Sequence, residues 1–312
     1  MAAQFPSTAL TRWLLQKNWL LQKARANQRG FTLTELLVAI VVGSIILTSL
    51  LYLVVELLGT NLREERLTQA QQDTRRALDY ISRDVREAVY VYANPQTVVG
   101  QLSEPDVPDD STAVLAFWRL KPIDVAAIPA ACITDECETL RVRHSVYDLV
   151  VYFHKPNAPG GIWSGPGRII RYELTNYSNL AAQTPTPGYR DPSRIKDGFA
   201  LWTPDGVTRG RNNVLADFID THNVDQTVST ACLPADGFIA SLVVDSNNFF
   251  VCVRDPGTGV NPLNQSLSVF LRGSTANPGP GTTIIFGPTS EGSSLPIIST
   301  EVLVRGRIET QL

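Results

Sequence analysis

Glu35 is the residue whose position asks most of its chemistry. It stands at the mouth of an uncharged run, residues 36–55, and Gly30 and Phe31 lie just before it. An ionised carboxylate entering hydrocarbon is costly and needs a partner. One partner is the positive end of its own helix dipole. Another is a free amine, which would exist at Phe31 if the chain were cut after Gly30. A glutamate that snorkels to the lipid headgroups is the plainer reading.

The other reactive side chains lie beyond residue 100. Cys132 and Cys137 bracket the short step CITDEC, and Cys232 and Cys252 enclose a longer loop. If this part of the chain crosses a membrane it meets an oxidising space, where an even set of thiols pairs. Cys132 with Cys137 and Cys232 with Cys252 is the expected pairing, although such a set allows about three connectivities. Zinc is the alternative, but the spacings match none of the common finger or ribbon patterns.

A catalytic constellation is not legible. There is no Walker-type glycine loop, and Trp163-Ser164-Gly165 lacks the first glycine of a nucleophile elbow. His144, His154 and His222 are scattered without an acid at a persuasive spacing and read as surface or strand residues. The acidic stretch EPDVPDD, residues 104–110, could ligate calcium but has no defined ligand order. A solvated loop is the expected reading, and no cofactor is expected. Trp118 and Phe250 sit in strand-like patterns and read as core.

The elements that must position these residues begin with the apolar run. Residues 36–55 contain no charge, and about 20 apolar residues at 1.5 Å each span a bilayer core of about 30 Å. A secretory signal has a shorter apolar stretch ending in small residues, and neither feature is present. Of 27 Lys and Arg in the chain, five (Arg12, Lys17, Lys23, Arg25 and Arg29) precede the run, and no acid accompanies them. That leaves 22 basic against 30 acidic residues for the remainder, or −8. The basic head keeps the N-terminus cytoplasmic and sends the acidic body across. An acidic body also argues against nucleic acid as a partner.

Beyond the span, Leu62, Ala70, Thr74, Ala77, Leu78, Ile81, Val85 and Ala88 recur at three- and four-residue spacings, one stripe of a continuing helix. Asp79 with Arg83, and Arg83 with Glu87, suit the opposite face. The arginines alternate with Glu64, Glu65, Asp73, Asp79, Asp84 and Glu87, which reads as a solvated face. From about residue 111 short β-branched and aromatic runs alternate with Gly, Pro, Asn and Asp. Strands are predicted at 112–120, 149–154, 168–174, 199–203, 214–219, 238–244, 249–254, 266–272 and 302–308. A hairpin turn is expected at 245–248, and surface loops at 183–192 and 273–288. Fold class is α+β: a long N-terminal helix against an antiparallel sheet.

The string GFTLTELLVAIVVGSIIL resembles the type IV prepilin N-terminal motif, shared by type IV pilins and type II secretion pseudopilins. The resemblance implies a membrane aspartyl peptidase that cuts after Gly30 and methylates the new terminus at Phe31. Glu35 would then lie fifth in the mature chain and pair with a neighbouring subunit's terminal amine. The implied domains are a basic leader at 1–30, long for the family, a transmembrane helix at 31–58, an amphipathic continuation at 59–94 and a β-rich soluble head at 95–312. Implied partners are other pilin subunits, the prepilin peptidase and an inner-membrane assembly platform. The large head, and QDTRRALDYISRDVREAVYV, are similar to larger minor pilins and J-type pseudopilins. VVYFHKP, GRIIRYEL and VLADFID are similar to cyanobacterial pseudopilins linked to hormogonium polysaccharide secretion, which would make polysaccharide the cargo and gliding motility the outcome. Type II protein secretion and twitching or DNA-uptake pili are the rivals. The competing class is an enzyme or receptor domain on a plain membrane anchor, and a fibre-tip adhesin differs from a minor pilin only in what its head touches.

Overall fold

The structure, a computed structural model, describes residues 30–158, 160–221, 232, 237–240, 248–254, 265–275 and 295–304. The leader up to Arg29, His222, the turn expected at 245–248 except Asn248, and the segments 276–288 and 305–308 lie outside them.

The first element, α1, is a 54-residue helix, Leu33–Arg86. The chain divides into two compact units after Asn61, and the first is the apolar stretch of α1. In the second unit α1 carries an inward stripe at Ala70, Thr74, Ala77, Leu78, Ile81 and Val85, all buried. Their spacing matches the predicted face. The side chain of Leu62 lies outside the description, and Ala88 is buried not on the helix but on the strand after it. On the outer face Arg76 meets Asp73 at 3.6 Å, three residues away.

The helix was expected to continue to residue 94, and it stops at Arg86. Strand β1, Ala88–Val91, follows at once. AVYV alternates β-branched and aromatic residues, and β1 pairs antiparallel with β2, Thr112–Pro122. Leu120 N donates to Glu87 O at 3.2 Å, so the sheet binds the chain where the helix ends. A one-turn helix, α2, spans Gln96–Val99. The head also contains α3, Asp135–Arg143, which was not predicted.

The main sheet adds β3 (Ser145–Pro156), β4 (Gly167–Leu174) and β7 (Arg211–Ile219), in the order β1-β2-β3-β4-β7, every pair antiparallel. Two short strands, β5 (Tyr177–Asn179) and β6 (Thr184–Pro185), form a separate ribbon. A second sheet has the order β11-β10-β9-β8, from β8 (Phe238–Ala240), β9 (Phe249–Arg254), β10 (Ser266–Leu271) and β11 (Ile298–Leu303). The stretch 199–203 is not a strand. Phe199 and Trp202 instead cover the outer face of the main sheet, edge-on to Trp118 at 6.2 and 5.6 Å.

Period-two alternation explains how one sheet serves two cores. On β3, Val150 and Tyr152 join α1, while Leu149, Val151 and Phe153 join the opposite cluster. A bulge between Ala113 and Leu115 turns both Val114 and Leu115 to the helix side and restores the alternation afterwards. Ala77, Leu78, Ile81 and Val85 of α1 share one apolar cluster with residues of both sheets, such as Phe117, Ile169, Val251 and Val269. The Gln265 side chain finishes the edge of β1: its Oε1 accepts from Val91 N at 2.9 Å, and its Nε2 donates to Val91 O at 3.1 Å. The α+β expectation is met, with the antiparallel strands arranged as two sheets.

Candidate functional site

Thr32 starts the helix. Its Oγ1 accepts from Glu35 N at 3.3 Å and its carbonyl from Leu36 N at 3.1 Å. Thr32-Leu33-Thr34-Glu35 has the sequence of a capping box, and its threonine half is formed. Glu35 sits in the first turn, where the helix dipole favours an anion. Gly30 lies just outside, and a Cβ there would meet nothing within 4 Å. Packing among the described residues therefore makes no demand for glycine at this position.

Residues Leu33–Asn61 make a 29-residue apolar stretch of which none is buried. Leu36, Leu37, Ile45, Ile46 and Leu50 are each more than half exposed, on every side of the helix. A helix apolar all round belongs in lipid or among other helices. Three of its hydroxyls bond back to the helix's own carbonyls: Ser44 donates to Val41 O at 2.8 Å, Thr48 to Ser44 O at 2.7 Å and Thr60 to Glu56 O at 3.0 Å. That is the arrangement hydrocarbon demands.

A second cluster lies where the other end of α1 meets the main sheet, and sequence reading missed it. Asp84, expected on the solvated face, points inward, its side chain only 4% exposed. Its carboxylate accepts from Arg119 Nη1 at 2.8 Å, Arg171 Nε at 2.8 Å and Tyr152 OH at 2.7 Å. Arg171 also donates to Glu173 at 3.1 Å, Arg119 pairs with Glu173, and Lys121 meets Asp148 at 3.1 Å. Strand register gathers these groups, since Arg119 stands opposite Asp148 and Tyr152 opposite Arg171.

Burial pushes the Asp148 carboxyl up to about 6 despite Lys121. Burial works in the same direction on Glu173, but Arg171 overcomes it, aided by Lys121 and Arg119, and holds that carboxyl near 2, below its ordinary 4.5. A depressed acid stabilises the fold above its unfolded value and loses that contribution as pH falls through the folded one. Glu173→Gln is thus expected to destabilise the protein at pH 7, with the gap closing between about pH 4.5 and pH 2. Denaturant midpoints of the two proteins across that range check it. A gap that stays constant refutes the assignment.

The remaining candidates take structural places. Cys132 is bonded to Cys137 and Cys232 to Cys252, each pair with Cα atoms 5.3 Å apart. That leaves none of these thiolates for zinc. Thr134 caps α3 by accepting from Cys137 N at 3.2 Å, and His144 ends it in the left-handed conformation at φ 56°. His154 is buried on β3, and burial lowers its pKa to about 4. The acidic stretch 104–110 is not wholly solvated: Asp106 is buried, accepting from Tyr172 OH at 2.7 Å and Gly210 N at 3.0 Å. Among the described residues no three His, Cys, Asp or Glu side chains gather as a metal site would. Trp118 and Phe250 are core residues, and Phe250 stacks on Phe270 at 4.6 Å.

Residues 25–51 match the family model described as the prokaryotic N-terminal methylation motif. No curated protein and no solved structure matched the chain. The matched stretch holds Gly30, Phe31, Glu35 and most of the apolar helix. It supports a type IV pilin-like precursor whose N-terminal helix has the character of a membrane anchor.

Proposed function

We infer that the chain is a minor pilin or pseudopilin, a structural subunit of a type IV pilus-like or type II secretion-like filament. Prepilin peptidase cuts after Gly30 and methylates Phe31. The mature helix then waits in the plasma membrane, its N-terminus cytoplasmic and its head periplasmic, until an assembly platform adds it to a filament. The observation that carries the reading is the coincidence of the methylation motif with a helix capped at Thr32 and exposed on every side through 29 residues. Such a surface needs neighbours of its own kind once it leaves lipid. A plain anchor would need neither a glycine at position 30 nor an acid at the entry to hydrocarbon.

The large head favours a minor subunit of the J-type class. The texture of its strands favours polysaccharide export, with gliding motility as the outcome. N-terminal mass spectrometry of the protein from native membranes tests the central step. The expected terminus is N-methylated Phe31, and a mature chain still beginning at Met1 refutes the reading. Adjacent pseudopilin or glycosyltransferase genes would favour polysaccharide cargo over protein or DNA.

A further inference from the structure

The loop after β3 folds back on β7, and Asp217 holds it there. Its carboxylate accepts from Ser164 N at 2.9 Å, Gly165 N at 3.0 Å and Asn157 Nδ2 at 2.8 Å. Gly165 lies so close to Phe218 that a Cβ would collide with the backbone there. Phe218 itself adopts φ 61°, a conformation bulky residues rarely accept. Strained backbone persists only where its surroundings over-determine it, and it concentrates at binding sites. This clamp presents Trp163, whose ring is partly exposed and has the Arg168 guanidinium 5.5 Å from its centroid.

Trp163 forms part of a cleft of about 480 Å³, within the range of about 300–1,000 Å³ usual for small-ligand sites. Its charged lining is balanced, with Lys155 and Arg168 against Glu104 and Asp109 in number, and Asn212 adds an amide. An anionic ligand would call for surplus base and a cationic one for surplus acid. The balance suits an uncharged molecule carrying many donors and acceptors together. An aromatic ring beside such groups suits a ligand with one apolar face and a polar rim. A pyranose ring is built that way, with C–H bonds on its face and hydroxyls around its edge.

We propose that this cleft binds a neutral glycan chain, one sugar stacked on Trp163 and its hydroxyls shared among Arg168, Lys155, Asp109 and Asn212. The proposal deepens the reading of the head as the cargo-facing part of a polysaccharide-exporting filament and rests on that reading for its setting. The acidic stretch 104–110 then serves as one wall of a glycan site.

The test uses the full chain in detergent micelles on an array of neutral gluco-, galacto-, manno- and xylo-oligosaccharides, alongside uronate and sulfated ones. Retention of one or more neutral glycans is expected. Trp163→Ala is expected to weaken it at least tenfold and Asp109→Ala measurably, while Trp163→Phe keeps most of it, with far-ultraviolet circular dichroism unchanged in all three. Asp109 is exposed, so its variant tests the cleft even if Trp163→Ala fails to fold. Failure to retain any neutral glycan overturns the proposal, as does retention indifferent to both Trp163→Ala and Asp109→Ala. Preferential retention of sulfated or uronate glycans overturns it too. Mass spectrometry of the same sample keeps the two readings apart. A methylated Phe31 on a chain that ignores glycans removes only the site, whereas an uncut chain that binds them removes only the filament.

Discussion

Asp84→Ala is expected to lower the protein's unfolding free energy by about 3–5 kcal/mol, the range for removing one partner of a buried ion pair. The wild-type carboxylate takes hydrogen bonds from Arg119, Arg171 and Tyr152. Alanine would leave two guanidiniums and a phenol facing a void at the junction of helix and sheet. Glu173 still pairs with both arginines, so the cluster keeps part of its compensation, which places the loss within that range rather than beyond it. Asp84→Asn is expected to be nearly as harmful, because its NH2 group would face N–H donors. The measurement is the denaturant midpoint of the full chain in micelles, followed by near-ultraviolet circular dichroism from the Trp118 region. A loss under about 1 kcal/mol, the usual worth of a surface pair, would mean that Asp84 is not held inside.

That position shows where sequence reasoning stops. The stripe from Ala70 to Val85 was legible because burial on one helix face repeats every three or four residues. By the same rule Asp84, three residues after Ile81 and seven after Ala77, falls on that face, but a carboxylate amid Arg83 and Arg86 reads as solvated. It turns inward because β2 and β4 bring two arginines to meet it, and register between strands far apart in sequence leaves no local trace. The end of the helix carried a clearer signal. Ala88-Val89-Tyr90-Val91 alternates as a strand does, but the stripe, followed through to Ala88, hides the change of period. Helix α3 was readable as well: Thr134 caps it, Asp135, Glu136 and Glu138 fill its first turn, and Arg141 and Arg143 its last. The two cysteines in that stretch read as a disulfide pair, and pairing alone does not reveal a helix. At 199–203 the apolar content was seen, but Phe199 and Trp202 pack as a cover on the sheet, and composition does not separate a cover from a strand. The N-terminal motif was legible almost whole because its demands are local: a cap, a span and a single acid.

Glu35→Ala is expected to abolish incorporation into filaments while leaving membrane insertion and the folded head unchanged. Two roles compete for this residue, and they differ in size. As the glutamate of a capping box, Glu35 contributes on the order of 1 kcal/mol to the start of α1. That is small beside a 54-residue helix, so its loss would fray one turn and leave assembly nearly intact. As the partner of a neighbour's terminal amine, it contributes through charge. Opposite charges about 4 Å apart at an effective dielectric of about 20 attract by about 4 kcal/mol, worth roughly a thousandfold in a single subunit contact. Glu35→Gln separates the roles, because glutamine also serves at the third position of a capping box but carries no charge. Both variants are expected to vanish from the sheared surface fraction while remaining in the membrane, each still trimmed to a methylated Phe31. Assembly rescued by glutamine would assign Glu35 to its own helix cap. Assembly lost in both, with processing intact, would assign it to the amine that the cut after Gly30 creates on the next subunit.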